Sequence, residues 1–298
     1  MNTKKNLLNT AWFGAIALCV LLSVFAIFFT SCTKYEEPEA SISDPGSDVS
    51  EPSAPAEPGE GLTDVQIPVE PSEPAEPAEP SQPAQPQQSG VVLAETADAG
   101  REYLDKFVFL GDSTTYGIGY YYNQGYTDLC PPSQVWTPSS GTLALFNYSI
   151  ATVVYPPTGE EIPIADAVAA GKPEYMLLTI GVNGVAVMDK EWFIRDYKAL
   201  IDIIREASPD TKIILNSIYP VASSYQHIDS ISNERIADAN IWIKMIADET
   251  GCKYLDTYSA LVGPDGTLPE SSHNGDGIHL NGETFGVVMN YIRTHAYN

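Results

Sequence analysis

The sequence predicts an α/β fold from residue 101 onward, with a central, mainly parallel sheet between two layers of helices. Two observations lead to this prediction. Short, unbroken apolar runs alternate with longer segments in which apolar residues recur at helical spacing. Strands without a polar face must be covered on both sides, which is typical of a parallel sheet in a three-layer α/β/α domain.

Four apolar runs are predicted to be strands. They are Phe107–Leu110, Tyr175–Ile180, Lys212–Ile218 and the shorter Cys252–Asp256. Open parallel sheets bind their ligands at the carboxyl ends of the strands. We therefore expect functional residues directly after these runs, and the first two are followed by glycine.

Three segments are predicted to be helices, because their apolar residues recur every three or four positions. They are Asp189–Ala207, Ser232–Thr250 and a last helix from about Gly282 to His295. Gly251 follows the second of these directly, and glycine is a common helix stop.

The first 32 residues are predicted to direct the chain to a membrane. Two lysines within the first five residues precede an almost wholly apolar stretch from Leu7 to Phe29, and Thr30-Ser31-Cys32 follows. This pattern is typical of a secretory signal. It resembles a bacterial lipobox with Cys32 as the lipidated first residue, although Phe29 stands where lipoboxes favour leucine. The alternative is an uncleaved membrane-spanning helix. Both interpretations leave the rest of the chain on the extracytoplasmic face of a bacterial membrane.

Residues 33–100 are predicted to be a disordered linker. Proline, glutamate, alanine and serine repeat there, and large apolar residues are too few to offset the entropy of folding. This segment holds 15 acidic residues and one lysine, a large share of the net charge of −24. A chain of this charge is a poor partner for nucleic acid, which requires a basic surface.

Two cysteines, Cys130 and Cys252, lie in the predicted domain of residues 101–298. In an exported protein they could form a disulfide, and they could equally be two buried thiols. The sequence does not decide between these alternatives.

Three polar motifs are predicted to meet at one edge of the sheet. Ser113 ends Gly111-Asp112-Ser113 after the first strand, and Asn183 follows the second strand in Gly181-Val182-Asn183. Asp276 and His279 stand three residues apart just before the last helix. Ester hydrolysis by serine needs a hydroxyl, a base, a group that orients the base, and donors for the oxyanion. Each motif alone is compatible with an ordinary turn, so their order and common edge carry the prediction.

The other histidines of the domain are interpreted as exposed or structurally satisfied. They are His227, His273 and His295. No metal-ligand cluster, phosphate loop or cofactor motif is found in the sequence, so neither a metal nor a cofactor is expected.

In this order the motifs resemble the conserved blocks of the SGNH (GDSL-like) hydrolase family, from Phe107 to the C-terminus. The resemblance implies a flavodoxin-like three-layer fold and a serine esterase. It implies that Ser113 is the nucleophile, His279 the general base and acid, and Asp276 the orienting carboxylate. Asn183 and the Ser113 backbone N–H would form part of the oxyanion hole.

Two positions depart from the family pattern. Gly184 stands where the family usually has aspartate after Gly-x-Asn. The glycine that normally supplies an oxyanion donor is also not evident, because Ile150 or Ala151 occupies its place. Gly141 and Gly159 are alternatives, and this donor is left unassigned.

The residues after Ser113 suggest a carbohydrate substrate. Five tyrosines lie between Tyr116 and Tyr126, and exposed aromatic rings near a catalytic turn suit stacking on sugars. The hypothesis is an esterase that removes acetyl groups from carbohydrate, with Gly181 and Tyr116 in contact with substrate. Core or turn roles for these tyrosines are equally compatible with the pattern. A lipase or lysophospholipase, a peptidase, and a non-catalytic glycan-binding lipoprotein on a decayed esterase fold remain alternatives.

Overall fold

A computed structural model describes residues 90–297, and these residues form the predicted three-layer α/β/α fold. Cys32, the apolar N-terminal segment and the predicted linker as far as residue 89 lie outside the described residues. Within residues 90–297, no helix combines the length and the apolar character needed to cross a membrane.

The strands form a five-stranded parallel sheet and a separate antiparallel hairpin. They are β1 (Phe107–Gly111), β2 (Val135–Trp136), β3 (Thr152–Tyr155), β4 (Glu160–Pro163), β5 (Tyr175–Thr179), β6 (Lys212–Asn216) and β7 (Lys253–Leu255). The parallel sheet has the order β2-β1-β5-β6-β7, and β3 pairs with β4. The carboxyl ends of β1 and β5 therefore lie side by side, with Gly111 in register with Thr179.

The helices are α1 (Arg101–Leu104), α2 (Ser113–Asn123), α3 (Ile164–Gly171), α4 (Lys190–Ala207), α5 (Asn233–Thr250), α6 (Thr257–Leu261) and α7 (Gly282–Thr294). Two short 3-10 helices, Pro132–Gln134 and Leu145–Ile150, lie in the connections.

Both faces of the sheet are buried, as the unbroken apolar runs predict. In β5, Met176 and Leu178 belong to one core cluster with α3, α4 and α5, whereas Tyr175 and Leu177 belong to a second with α1, α2 and α7. Alternate residues of a strand point to opposite faces, so a strand buried on both sides must be apolar throughout. Ser113 in α2 and the start of α7 therefore lie in the same helical layer.

All four predicted strands and all three predicted helices are confirmed, with ends that differ by a few residues. The edge strand β2, the β3–β4 hairpin and the helices α1, α3 and α6 were not predicted, and no bounds were predicted for α2. Apart from α2, these elements have only two to eight residues, which is too short for a periodic pattern to identify them.

Residues just before Arg101, the predicted start of the domain, also contact the sheet. Val92 pairs with Tyr254 in β7, and Leu93 is buried. Further along, the backbone N–H of Thr96 donates to the carbonyl of Thr294 at the end of α7. Residues 91–99, assigned to the linker by composition, thus pack against the domain because Val91-Val92-Leu93 supply apolar surface for the edge of the sheet.

Cys130 and Cys252 are both free and buried. They lie in different core clusters, on opposite faces of the sheet. The alternative of two buried thiols therefore describes this structure.

Candidate active site

Ser113 is the first residue of α2 and follows directly after β1. Asp112 caps the helix, and its carboxylate Oδ1 accepts the backbone N–H of Thr114 at 2.9 Å. Gly111 allows the close approach this turn requires. A Cβ at that position would lie 2.6 Å from the carbonyl oxygen of Thr179 and would overlap the side chain of Thr115. The Gly-Asp-Ser sequence therefore specifies a tight strand-to-helix turn that presents Ser113.

His279 and Asp276 lie on a loop held against the segment after β6. The backbone N–H of Ala222 donates to the carbonyl of Gly277 at 2.8 Å. Gly277 has a φ of 85°, and a Cβ there would lie 2.7 Å from the Cα of Tyr225. Only glycine fits both requirements, so the loop geometry depends on Gly277.

The structure brings Ser113, His279 and Asp276 into one hydrogen-bonded chain. Nε2 of His279 lies 2.8 Å from Oγ of Ser113. Nδ1 of His279 lies 2.6 Å from Oδ2 of Asp276, whose Oδ1 accepts the backbone N–H groups of Ile278 and His279. An ionised carboxylate can only accept, so it fixes the proton on Nδ1 and leaves the lone pair of Nε2 facing the serine hydroxyl.

Two carboxyl groups beside the serine have shifted pKa values. Partial burial raises the pKa of Asp276, but the hydrogen bonds and positive potential of His279 outweigh this effect and lower it to about 2. Asp112 is 1% exposed, and burial raises its pKa to about 6 despite the hydrogen bonds from Thr114. As the pH falls to about 6, Asp112 thus begins to take up a proton, whereas Asp276 stays charged.

The sequence model of the GDSL-like lipase/acylhydrolase family matches residues 109–284, a span that runs from the last residues of β1 through Ser113 to the loop of His279. The chain belongs to this SGNH hydrolase family. Ser113, Asp276 and His279, which form one hydrogen-bonded chain, all lie within this span.

Several solved structures are similar to this SGNH hydrolase at low sequence identity. A GDSL-like lipase from Bacteroides thetaiotaomicron is 16% identical with a TM-score of 0.46, covering 64% of this chain and 87% of the other. The periplasmic domain of a lipopolysaccharide acetyltransferase from Salmonella ser. Paratyphi A is 19% identical with a TM-score of 0.43, covering 63% and 82%. An acetyl esterase with an acetate ion is 15% identical with a TM-score of 0.41, covering 63% and 93%. No curated protein matches the chain.

Two donors of the predicted oxyanion hole lie near the ends of β1 and β5. The backbone N–H of Ser113 makes no hydrogen bond to any residue in the part of the chain that the structure describes, as expected at the first position of a helix. Nδ2 of Asn183 donates to the carbonyl of Leu143 at 3.1 Å. That bond uses one of the two amide hydrogens and fixes the plane of the amide, leaving the second hydrogen to donate elsewhere.

Three sequence candidates for the remaining oxyanion donor have engaged backbone N–H groups. Those of Gly141 and Gly159 donate within turns to Pro138 and Tyr155, both at 2.8 Å, and that of Ala151 donates to Tyr148. Ile150, the other candidate, is 78% exposed at the end of a 3-10 helix. The family glycine therefore has no direct replacement among Gly141, Gly159 and Ala151.

Gly181 and Gly184 are explained by the turn that carries Asn183. Gly181 has a φ of 133°, and a Cβ there would lie 2.9 Å from the ring of Phe193. Its missing side chain therefore faces the core, and its contact with substrate stays a prediction. The backbone N–H of Gly184 donates to the carbonyl of Gly181 at 2.7 Å, and a Cβ at Gly184 would lie 2.8 Å from Sδ of Met188. A side chain at this position, such as the usual family aspartate, would therefore require Met188 to move.

Tyr116, the predicted substrate contact, lies one helical turn after Ser113 and is 45% exposed. Its ring centroid is 6.5 Å from that of Tyr120, which is also exposed. The two rings form a partly exposed aromatic surface next to the serine. By contrast, Tyr121 and Tyr126 pack against each other, and Tyr121 also packs against Phe285.

Two features around this site were not predicted from the sequence. Phe146, Ile150 and Val187 are exposed apolar side chains in the segments next to Asn183. His273, interpreted as an ordinary satisfied histidine, forms a second histidine–carboxylate pair with Glu270 in the loop that carries Asp276 and His279. The spacing Glu270-x-x-His273 repeats that of Asp276-x-x-His279 and is the signal that could have revealed it. Within residues 90–297, no three His, Cys, Asp or Glu side chains are grouped to hold a metal ion.

Proposed function

We propose that this SGNH hydrolase is a serine ester hydrolase that acts through an acyl-enzyme on Ser113. The single observation that carries the proposal is the hydrogen-bonded chain from Oγ of Ser113 through His279 to Asp276, with distances of 2.8 Å and 2.6 Å. These distances are within the range in which a base takes the proton of a nucleophile.

In the proposed reaction, Oγ of Ser113 attacks the ester carbonyl carbon while Nε2 of His279 takes the hydroxyl proton. The carbonyl oxygen becomes an oxyanion, which the Ser113 N–H and the free amide hydrogen of Asn183 stabilise. His279 then gives its proton to the departing alcohol as the ester C–O bond breaks. Water then attacks the acyl carbon while Nε2 of His279 takes one of its protons. The bond from the acyl carbon to Oγ of Ser113 breaks, the acid leaves, and His279 returns the proton to Oγ. Asp276 stabilises the imidazolium formed in both steps.

The proposed substrate is an acetylated carbohydrate, which the exposed rings of Tyr116 and Tyr120 support. Aromatic faces next to the nucleophile offer an apolar, planar surface to a sugar ring. The carbonyl oxygen of the acetyl group would lie in the oxyanion hole while the sugar ring stacks on Tyr116.

A fluorophosphonate probe tests the catalytic part of the proposal. Mass spectrometry should find the label on Ser113, and both Ser113→Ala and His279→Ala should abolish labelling without loss of the folded state. An unlabelled, folded wild-type protein would favour the alternative of a non-catalytic glycan-binding protein. Asn183→Ala should lower kcat by about 10²-fold.

The substrate is tested by comparing acetate release from O-acetylated oligosaccharides with hydrolysis of p-nitrophenyl acetate. Tyr116→Ala should raise KM for the oligosaccharide and leave KM for p-nitrophenyl acetate unchanged. Tyr122→Ala, on the same helix, is the matched control. Equal changes in KM for both esters would contradict the proposed stacking.

A lipase-type esterase is the second candidate, favoured by the exposed side chains of Phe146, Ile150 and Val187. These residues are close in sequence to Asn183 or to Leu143, which accepts a hydrogen bond from Asn183, and apolar side chains beside the site would suit a longer acyl chain. A kcat/KM for p-nitrophenyl octanoate far above that for p-nitrophenyl acetate, reduced in Ile150→Ser, would favour this candidate over the carbohydrate esterase.

We also propose that the enzyme is anchored at the extracytoplasmic face of a bacterial membrane. The support is the basic start, the apolar stretch and Cys32 in the sequence. Mass spectrometry of the mature N-terminus distinguishes a lipidated Cys32 from an uncleaved apolar segment. An intact chain recovered from the soluble cell fraction would contradict both forms of anchoring.

A further inference from the structure

His273 lies in the loop that also carries Asp276 and His279, and it is almost completely buried, with 5% of its side chain exposed. The loop from Glu270 to His279 contains two pairs with identical spacing, Glu270–His273 and Asp276–His279. Only the second pair contacts Ser113. The first pair is therefore free for a different task.

The hydrogen bonds of His273 fix its tautomer. Its Nδ1 accepts the backbone N–H groups of Gly275 at 2.9 Å and of Gly277 at 3.1 Å. A ring nitrogen that accepts must be unprotonated, so the ring proton lies on Nε2. That proton is donated to Oε2 of Glu270 at 2.9 Å.

Glu270 in turn connects the loop to the segment after β6. Its carboxylate accepts the hydroxyl groups of Ser223 and Ser224, at 3.1 Å and 2.6 Å, and the backbone N–H of Ser224. The charge at Glu270 is maintained over a wide pH range, because the hydrogen bonds from Ser224 and His273 lower its pKa to about 2.

The two N–H groups held by His273 flank Asp276 directly in sequence. Gly275 precedes Asp276 and Gly277 follows it, so Nδ1 of His273 fixes the backbone on both sides of the orienting carboxylate. The N–H of Asn274 also donates to the carbonyl of His279 at 2.9 Å, which closes the loop. The imidazole of His273 therefore fills the inside of the turn that carries Asp276 and His279.

We propose that His273 is a positioning residue, which as a neutral acceptor holds Asp276 and His279 in line with Ser113. This inference rests on the proposed function of the Ser113 site. Loss of the Nδ1 acceptor leaves two backbone N–H groups without a partner, and the turn must rearrange to find others. A displacement of about 1 Å at the reacting groups costs on the order of 10²-fold in rate.

A pair of amide substitutions tests the proposal. In His273→Asn the side-chain oxygen replaces Nδ1 as the acceptor, whereas in His273→Gln the amide reaches the position of Nε2 and Glu270. We expect His273→Asn to keep kcat within about 3-fold of the wild type, and His273→Gln to lower kcat by about 10²-fold with little change in KM. The exposed His227→Gln is the matched control and should keep the wild-type kcat.

Two readouts separate positioning from folding and from the proposed function. Circular dichroism below the unfolding temperature verifies that each variant is folded. If His273→Gln does not fold, Glu270→Ala, at an exposed position, takes its place and is expected to lower kcat. The proton NMR signal of the His279 Nδ1–H bonded to Asp276 should be present in the wild type and His273→Asn, and lost in His273→Gln.

The NMR signal does not depend on turnover. If the wild type keeps this signal but has no esterase activity, the proposed function fails while the positioning role stands. The role of the Nδ1 acceptor would be overturned if His273→Gln kept the kcat and the NMR signal of the wild type. It would also be overturned if kcat fell by the same factor in His273→Asn and His273→Gln.

Discussion

At the scale of single residues, the site depends on carboxyl groups in unlike surroundings. Asp276 receives hydrogen bonds from His279 and two backbone N–H groups, and these keep it ionised. Asp112 lies next to Ser113 but under the turn, where Oδ2 is buried without a hydrogen-bond partner in residues 90–297. The family sequence Gly-Asp-Ser therefore includes a carboxyl group whose ionised form is poorly solvated.

This burial predicts a pH-dependent stability of the domain. The folded-state pKa of Asp112 is raised to about 6, above the value of about 4 expected in the unfolded chain. Ionised Asp112 therefore destabilises the fold above about pH 6. This destabilisation decreases as the pH falls from about 6 to about 4, and below about pH 4 it is absent. The free energy of unfolding of Asp112→Asn, minus that of the wild type, should rise by on the order of 2 kcal/mol from pH 4 to pH 8.

Denaturant titrations of both proteins at several pH values measure this difference. Asparagine retains an oxygen that can cap α2 by accepting the N–H of Thr114, so the helix cap is maintained in the variant. A difference that stays constant between pH 4 and pH 8 would show that the charge on Asp112 has no energetic cost.

At the scale of secondary-structure elements, two helices connect the nucleophile to the base. Ser113 begins α2, and α7 starts three residues after His279. They approach closely at Gly117 of α2, where a Cβ would lie 2.5 Å from the ring of Phe285 in α7. The ring is 1% exposed and packed in the core, so it has little room to move.

This contact predicts opposite effects for two glycine-to-alanine changes in the same helix pair. Gly117→Ala should lower the free energy of unfolding by about 1–3 kcal/mol, because the added methyl group overpacks the interface. A Cβ at Gly286 in α7 would have no atom within 4 Å, so Gly286→Ala should raise the free energy of unfolding by about 0.5–1 kcal/mol. Thermal or denaturant unfolding measures both, and a stabilised Gly117→Ala would show that the helices are not tightly packed there.

The sequence predicted the elements that have strong patterns and missed those determined by tertiary contacts. The β5 strand is apolar throughout, and α4 has a regular apolar stripe, so both were predictable. The strand β2 has two residues and exists because Val135 and Trp136 pair with Phe109 and Leu110. Such pairing involves residues far apart in sequence and leaves no periodicity to detect.

The same distinction holds at the site. Ser113, Asp276 and His279 were predictable from the order of their motifs along the chain and from the sheet edge that the motifs were expected to share, although each motif alone is compatible with an ordinary turn. The role of His273 was not, because it depends on two N–H groups that point at its ring only after the loop has folded. The engaged N–H groups of Gly141 and Gly159 likewise follow from turn geometry that residue identity does not give.

At the scale of the whole molecule, the segment before α1 connects two distant parts of the domain. Leu93 donates its backbone N–H to the carbonyl of Tyr254 at 2.9 Å, which extends the sheet beyond β7. Arg293 in α7 forms an ion pair with Asp98 at 3.3 Å. The segment thus covers the exposed edge of the sheet, where unpaired backbone groups would otherwise be open to another chain.

Leu93 should therefore contribute to the stability of the whole domain, even though composition places it in the linker. Its side chain is buried in the cluster that also contains Phe107, Leu255 and Ile292. Leu93→Ala in the full-length chain should lower the free energy of unfolding by about 2–5 kcal/mol, as for other buried leucines. Glu95→Ala, two residues away and exposed, should change it by less than about 0.5 kcal/mol. Denaturant unfolding of the two variants and the wild type measures both values. If Leu93→Ala unfolds at the same denaturant concentration as Glu95→Ala, residues 91–99 lie on the domain without stabilising it, and the folded unit begins at Arg101 after all.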